Sequence, residues 1–223
     1  MTQLVDAIAR YHKILEQDRE RFASWVGELR DQMAKARLIV NGRPVTPVLR
    51  PHFISRRQYS NLVRTAELLT CSIERARLLA LENPAVMSRI QLLPAEKMLA
   101  AVDPGYRLSP VAGWLGAHVN NGSLYTTAAQ ADLPRGVLDG ELLGEIFYDS
   151  PAVKELRRKF KLQRMPGVKP FLHSILKAWK EFGGTGKPAI GLLETKEHIA
   201  TAEGSECLRL AEWFRSHGFE IEV

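Results

Sequence analysis

Apolar side chains at Leu4, Ile8, Tyr11, Leu15, Phe22, Val26 and Leu29 recur mostly three or four positions apart. That spacing lines one face of a helix, so residues 3 to 38 are expected to form one long amphipathic helix. Gly42, Pro44, Pro47 and Pro51 follow. Proline lacks an amide donor and restricts the residue before it, so a loop is expected over 40 to 54. Helical spacing resumes after Ser55, a suitable cap, with Leu62, Ala66, Leu69, Ile73, Ala76 and Leu79 on the face expected to be buried. Asn83 and Pro84 stop that helix after Glu82.

A short helix is predicted from Pro94, since PAEKMLAAV places proline in a first turn with a carboxylate near the positive end. DPG at 103 to 105 closes it. The pattern then changes: VAGWLGAHV and SLYTTAAQ flank Asn120, Asn121 and Gly122, residues that tolerate the positive φ of a tight turn. Two antiparallel strands are expected there. ADLPRG turns the chain away, and helices over 138 to 148 and 151 to 161 follow, with Leu142, Ile146 and Phe147 inward. A helix over 168 to 182 directs Phe171, Ile175, Leu176 and Trp179 inward and stops at Gly183-Gly184. PAIGLLE reads as a strand, Ala202 to His217 as a helix ended by Gly218, and FEIEV as a second strand. This is a βαβ unit, whose strands should run parallel. The fold class is α/β: amphipathic helices on an antiparallel hairpin region plus an incomplete parallel βαβ unit. Three parts are expected, 1–54, 55–186 and 187–223.

The chain has 223 residues, and 45% of them are hydrophobic, enough for one sizeable core or two small ones. No stretch approaches the roughly 20 apolar residues of a membrane helix, and the start alternates apolar with charged residues as no secretory signal does. A cytoplasmic protein is expected. Cys71 and Cys207 are far apart, without a CxxC or a nearby histidine, and read as ordinary buried thiols. Thirty-one Lys and Arg against 25 Asp and Glu give +6, which attracts anions without choosing among them. The densest basic run, Arg157, Arg158, Lys159, Lys161 and Arg164, surrounds Phe160 and Leu162 and reads as the solvated edge of an amphipathic helix end. No aromatic stacking motif accompanies it.

GGTGK at 183 to 187 has the composition of a phosphate loop in the wrong order. Such a loop follows a strand and opens a helix, whereas these glycines follow a helix, and Pro188 stands where a hydroxyl should reach magnesium. It reads as a connector. The six histidines, at 12, 52, 118, 173, 198 and 217, form no HxH or HExxH pattern, so no metal site is assigned. His118 beside the hairpin reads as a packed or surface residue rather than a base. No serine sits in a GxSxG elbow.

The segment GSLYTTAAQADLPRGVLDGELLGEIFYDSPAVKEL resembles a stretch of circularly permuted ATP-grasp proteins similar to glutathionylspermidine synthase, reading roughly LxFVEYNADTPAGVAYGExLxDxFYxxPxVKEF. The likeness extends to LLPAEKMLAAVDPGY upstream and to KPFLHSILKAWKEFGG, KPAIGLLE and the closing segment downstream, over about 55 to 223. The resemblance implies a pre-ATP-grasp fold and a class of enzyme that activates a carboxylate as an acyl phosphate with ATP, for attack by an amine. Magnesium supports that transfer by neutralising phosphate oxygens. In the family pattern its ligands are an Asp on the first hairpin strand and the Glu and Asn of EYN on the second. The matching positions here are Gly116, Ala128 and Gln130. Two lack any ligand oxygen, and Gln130 carries its amide one methylene further out. Asp132, Pro134 and Gly136 do match the DxPxG turn, so the candidates for ligand contact are Gln130, Asp132 and Arg135. Asp132 has a second reading, as a residue that only caps the turn.

Relatives of this pattern continue past the second strand of the βαβ unit with ATP-grasp lysines, a glycine-rich lid and further metal carboxylates, and this chain is expected to be a split, truncated or fragmentary relative. The expected function is a degenerate or partial ATP-grasp carboxylate-amine ligase, non-catalytic alone and acting as a subunit, with no catalytic residue, no metal and no cofactor of its own. A second reading is part of an active ligase, with ATP and magnesium, completed by another half. A third is a basic module that binds nucleic acid or acidic protein. The expected partner is a second copy or a complementary half, bound through the open edge of the βαβ unit.

Overall fold

The computed structural model describes residues 2–106, 112–120, 123–130, 136–201 and 205–223. Asp18 divides the expected amino-terminal helix into α1 (Thr2–Gln17) and α2 (Arg19–Lys35). Its backbone leaves helical geometry, at φ −140° and ψ 72°, and its carboxylate accepts the Arg21 amide at 3.1 Å. An aspartate cap satisfies a first-turn amide that a continuous helix would have bonded internally, so apolar spacing alone does not reveal the break. The region expected as a loop contains a small antiparallel hairpin, β1 (Ile39–Val40) and β2 (Arg43–Pro44). Asn41 and Gly42 turn it with φ of 51° and 73°, the sign a two-residue hairpin turn requires.

The order continues with α3 (Arg56–Glu82), α4 (Pro84–Met87), α5 (Pro94–Ala100), β3 (Trp114–Asn120), β4 (Ser123–Gln130), α6 (Val137–Tyr148), α7 (Pro151–Leu156), α8 (Val168–Glu181), β5 (Ala189–Gly191), α9 (Lys196–Thr201), α10 (Glu206–Ser216) and β6 (Glu220–Glu222). The elements divide into two units, one of Met1–Ser55, Arg135–His173 and Gly186–Val223, the other of Arg56–Pro134 and Ser174–Thr185. The amino-terminal helices and the βαβ unit belong to the same unit.

In the first unit, α1 and α2 bury Tyr11, Ile14, Trp25 and Leu29 against Phe147, Val153 and Leu156 of α6 and α7. Burying a side chain of this size stabilises by about 1.5–3 kcal/mol. The Tyr11 hydroxyl is not left unpaired: it donates to the Leu49 carbonyl at 2.6 Å, and burial pushes its pKa well above the ordinary tyrosine range. Ser150 caps α7 by accepting the Val153 amide, and the helix ends at Leu156, short of the expected 161. Residues 157–159 form a turn instead.

β5 and β6 pair in parallel with Ile190 opposite Ile221, both buried, as expected for the βαβ unit. α10 supplies Leu210, Ala211 and Phe214 to the core and is shorter than the predicted Ala202 to His217. Ser205 stands at its N-cap, with 202–204 outside the described residues. Gly218, at φ 78°, ends it.

In the second unit α3 spans 56–82 as predicted, but its expected buried face is not covered. Ile73 is 49% and Leu79 52% exposed, Leu62, Ala66 and Leu69 are half-buried, and Ala80 alone in that helix is fully buried. Periodicity establishes which residues share a face, not that another element lies on it. Among the described residues no helix is long and apolar enough to cross a membrane.

Candidate functional site

The hairpin of β3 and β4 brings together the positions marked by the resemblance. Gly116 pairs with Ala128 and Trp114 with Gln130. Cross-strand partners share a face and alternate residues return to it, so Gly116, Ala128 and Gln130 lie on one face of the ribbon. The register then shifts, because Ala117 faces Thr126 and leaves Thr127 as the extra residue of a bulge. Bulges re-aim the neighbouring side chains. A Cβ at Gly116 would meet Thr127 Oγ1 at 2.6 Å and the Trp114 ring at 3.2 Å, so those side chains fill the space that a longer residue at 116 would need.

Gln130 is exposed. Asp132 and Arg135 lie outside the described residues, so the structure places only one of the three candidate ligand contacts. The side chains present do not fit a magnesium site: Gly116 and Ala128 offer no oxygen, and a neutral amide alone falls short of the carboxylate-containing octahedron that Mg²⁺ requires. Among the described residues no group of three or more His, Cys, Asp or Glu is arranged to hold a metal ion. His118 is exposed and stands opposite Tyr125.

A polar cluster in the first unit went unforeseen. The Glu206 carboxylate accepts the amides of Gly136 at 2.6 Å, Leu138 at 2.7 Å and Asp139 at 3.2 Å, closing the first turn of α6 from another helix. Three otherwise unsatisfied amides and the positive end of the helix dipole favour a carboxylate at this point. Gly136 takes φ 77°, which suits glycine. Arg209, with 4% of its side chain exposed, pairs with Asp139 and donates to the Arg37 carbonyl at 2.8 Å. Arg37 reaches back to Glu212, its Nη1 donating at 3.0 Å. That hydrogen bond holds the Glu212 carboxyl below its ordinary range and raises the Arg37 pKa. Glu206, Arg209 and Glu212 recur every three residues along α10, the signal from which a shared polar face could have been read.

Other sequence features have structural roles. Lys187 of GGTGK donates to the carbonyls of His217 at 3.4 Å and Gly218 at 3.1 Å, a cation at the negative end of α10, in keeping with a connector. In the basic run, Arg157 stacks 3.9 Å over Tyr148 and Arg164 pairs with Glu145 at 2.6 Å. Cys71 is exposed rather than buried, since it lies on the uncovered part of α3. Cys207 is half-buried, and burial followed by the charges of Glu194 and Glu206 pushes its thiol pKa up, against thiolate chemistry. Comparison of the chain with protein-family models, with curated proteins and with solved structures finds no match.

Proposed function

We propose that this chain is a degenerate or partial relative of the ATP-grasp carboxylate-amine ligases, inactive as a ligase alone and acting as a subunit beside a second copy or a complementary half. The observation that carries the reading is the hairpin register. Three positions set apart only by resemblance, 116, 128 and 130, fall on one face of the ribbon, and the residues there are glycine, alanine and glutamine. A shared face that carries no carboxylate supports the reading of a metal site lost from this chain. ATP and magnesium belong, in this reading, to the completed assembly, and Gln130, Asp132 and Arg135 contact its ligand. A cytoplasmic location accompanies the proposal.

The test is turnover of ATP by the purified chain with magnesium, with and without mixtures of carboxylates and amines. No phosphate release above background is expected. Metal-dependent turnover that Gln130→Ala abolishes would overturn the proposal.

A further inference from the structure

Where the start of α2 meets the corner between α6 and α7, a groove of about 330 Å³ is lined by Arg21, Asp149, Pro151, Lys154, Glu155 and Arg158. All six belong to the first unit. The walls are anchored, because Phe22 beside Arg21, and Ala152, Val153 and Leu156 around Lys154 and Glu155, are core residues. Lys154 on α7 and Arg158 in the turn that follows it are both exposed.

The charges of the groove are unevenly matched. Glu155 is occupied by Arg10 at 3.7 Å. Among the described residues Arg21, Lys154 and Arg158 stand in no ion pair, unlike Arg37, Arg164 and Arg209 of the same unit. Three cations therefore face the groove against Asp149 as the carboxylate not tied to an arginine. Unpaired cations on a rigid wall attract anions, and guanidinium groups match the tetrahedral oxygens of phosphate with paired donors. The volume lies at the low end of the roughly 300–1,000 Å³ range of small-ligand sites.

We infer that this groove binds the phosphate groups of a small phosphorylated molecule through Arg21, Lys154 and Arg158. It uses none of the hairpin residues and does not depend on the ligase reading.

Inorganic pyrophosphate titrated into the full chain at low ionic strength, followed by calorimetry, tests the inference. Saturable binding is expected, weakened about tenfold by Lys154→Ala or Arg158→Ala, the effect of one charged hydrogen bond. Asp149→Asn should tighten it, and Arg164→Ala, whose cation is held by Glu145, should leave it unchanged. All four positions carry side chains outside the core, and unchanged thermal unfolding of each variant separates lost binding from lost folding. Absence of saturable binding at millimolar pyrophosphate, or equal weakening by Arg164→Ala, overturns the inference. Displacement of pyrophosphate by single-stranded DNA with affinity rising with strand length also overturns it, in favour of an extended nucleic-acid surface.

Discussion

The Glu206 carboxylate accepts the Gly136 amide at 2.6 Å, joining residues 70 apart in sequence and tying the first turn of α10 to the first turn of α6. Because the same carboxylate serves Leu138 and Asp139, its removal leaves three amides to water or to nothing. Glu206→Ala is expected to lower stability by about 1–3 kcal/mol. Glu206→Gln keeps an acceptor but loses the charge and should fall between. Urea unfolding followed by tryptophan fluorescence measures both, and an alanine variant as stable as the parent would show that the cap is dispensable.

Arg209 is a sharper case, since its side chain is 4% exposed and its partner Asp139 22%. Removing one member of a buried pair leaves the other charged in a poor solvent, so Arg209→Ala should destabilise by about 3 kcal/mol or more. Asp139→Asn should cost a comparable amount, because it keeps an acceptor for Arg209 but removes the charge opposite a guanidinium that is only 4% exposed. A double-mutant cycle is expected to give a coupling of about 1 kcal/mol or more. Additive effects would mean that the two side chains do not depend on each other.

These contacts mark where the sequence stopped being legible. Helix positions, the β3–β4 hairpin and the parallel βαβ pairing follow from local rules: apolar period, proline and glycine punctuation, and the turn residues at 120–122. The Glu206, Arg209 and Arg37 cluster joins three distant segments, and each charge, read locally, belongs to a solvated helix face. The Asp18 break was hidden for a different reason, since the apolar stripe runs on through a capped junction. The small hairpin at Asn41-Gly42 lay in the segment read as a loop from Gly42 and its prolines, because two-residue strands carry too little apolar pattern to register. At the hairpin, the positions could be named from resemblance, whereas their shared face and the Thr127 bulge depend on a register that spacing does not supply.

The Arg37 and Glu212 pair gives the molecule an acid-sensitive contact. Glu212 titrates below its ordinary value, about 4.3, so the pair contributes in full above that pH and is lost as pH falls through the lower folded value. With 49% and 53% of the side chains exposed, the contribution should not exceed about 1 kcal/mol. The stability difference between the parent and Glu212→Gln should be constant from neutral pH down to the ordinary glutamate range and be lost as pH falls through the lower folded value. It should also shrink in high salt. A difference that grows as pH falls would contradict this sign.

Restoring carboxylates to the hairpin should not restore a metal site by itself. Gly116→Asp places a Cβ 2.6 Å from Thr127 Oγ1, so the Thr127 side chain must rotate or shift to admit it. Gly116→Asp with Ala128→Glu and Gln130→Asn is expected to bind magnesium no tighter than millimolar, and adding Thr127→Ala should improve on the triple variant by removing the clash. Calorimetry with magnesium, alone and with ATP, reads both. Tight Mg-ATP binding by the triple variant would show that the hairpin is sufficient on its own.

The two-stranded sheet leads to the last expectation. A parallel pair is normally flanked by further strands, and an open edge presents amides and carbonyls to other chains. Leu192 donates its amide to the Glu222 carbonyl, so Glu222 faces β5 and the neighbouring Ile221 faces the opposite edge. There Arg215 Nη2 donates to the Ile221 carbonyl at 2.9 Å, which blunts the outer side of β6. On β5, by contrast, Ala189 and Gly191 are exposed, and a Cβ at Gly191 meets nothing within 4 Å. Association with a second copy or a complementary chain should therefore use the β5 edge. Deleting 187–223 would be a poor test, because it also removes the buried Leu210, Ala211 and Phe214. Gly191→Pro is better, since it removes an edge donor at a site with room for the ring and leaves the core intact. Light scattering should show concentration-dependent association of the parent, its loss in Gly191→Pro, and its increase in Arg215→Ala, where the second edge is uncovered. A strictly monomeric parent, or association untouched by the proline, would sink the idea.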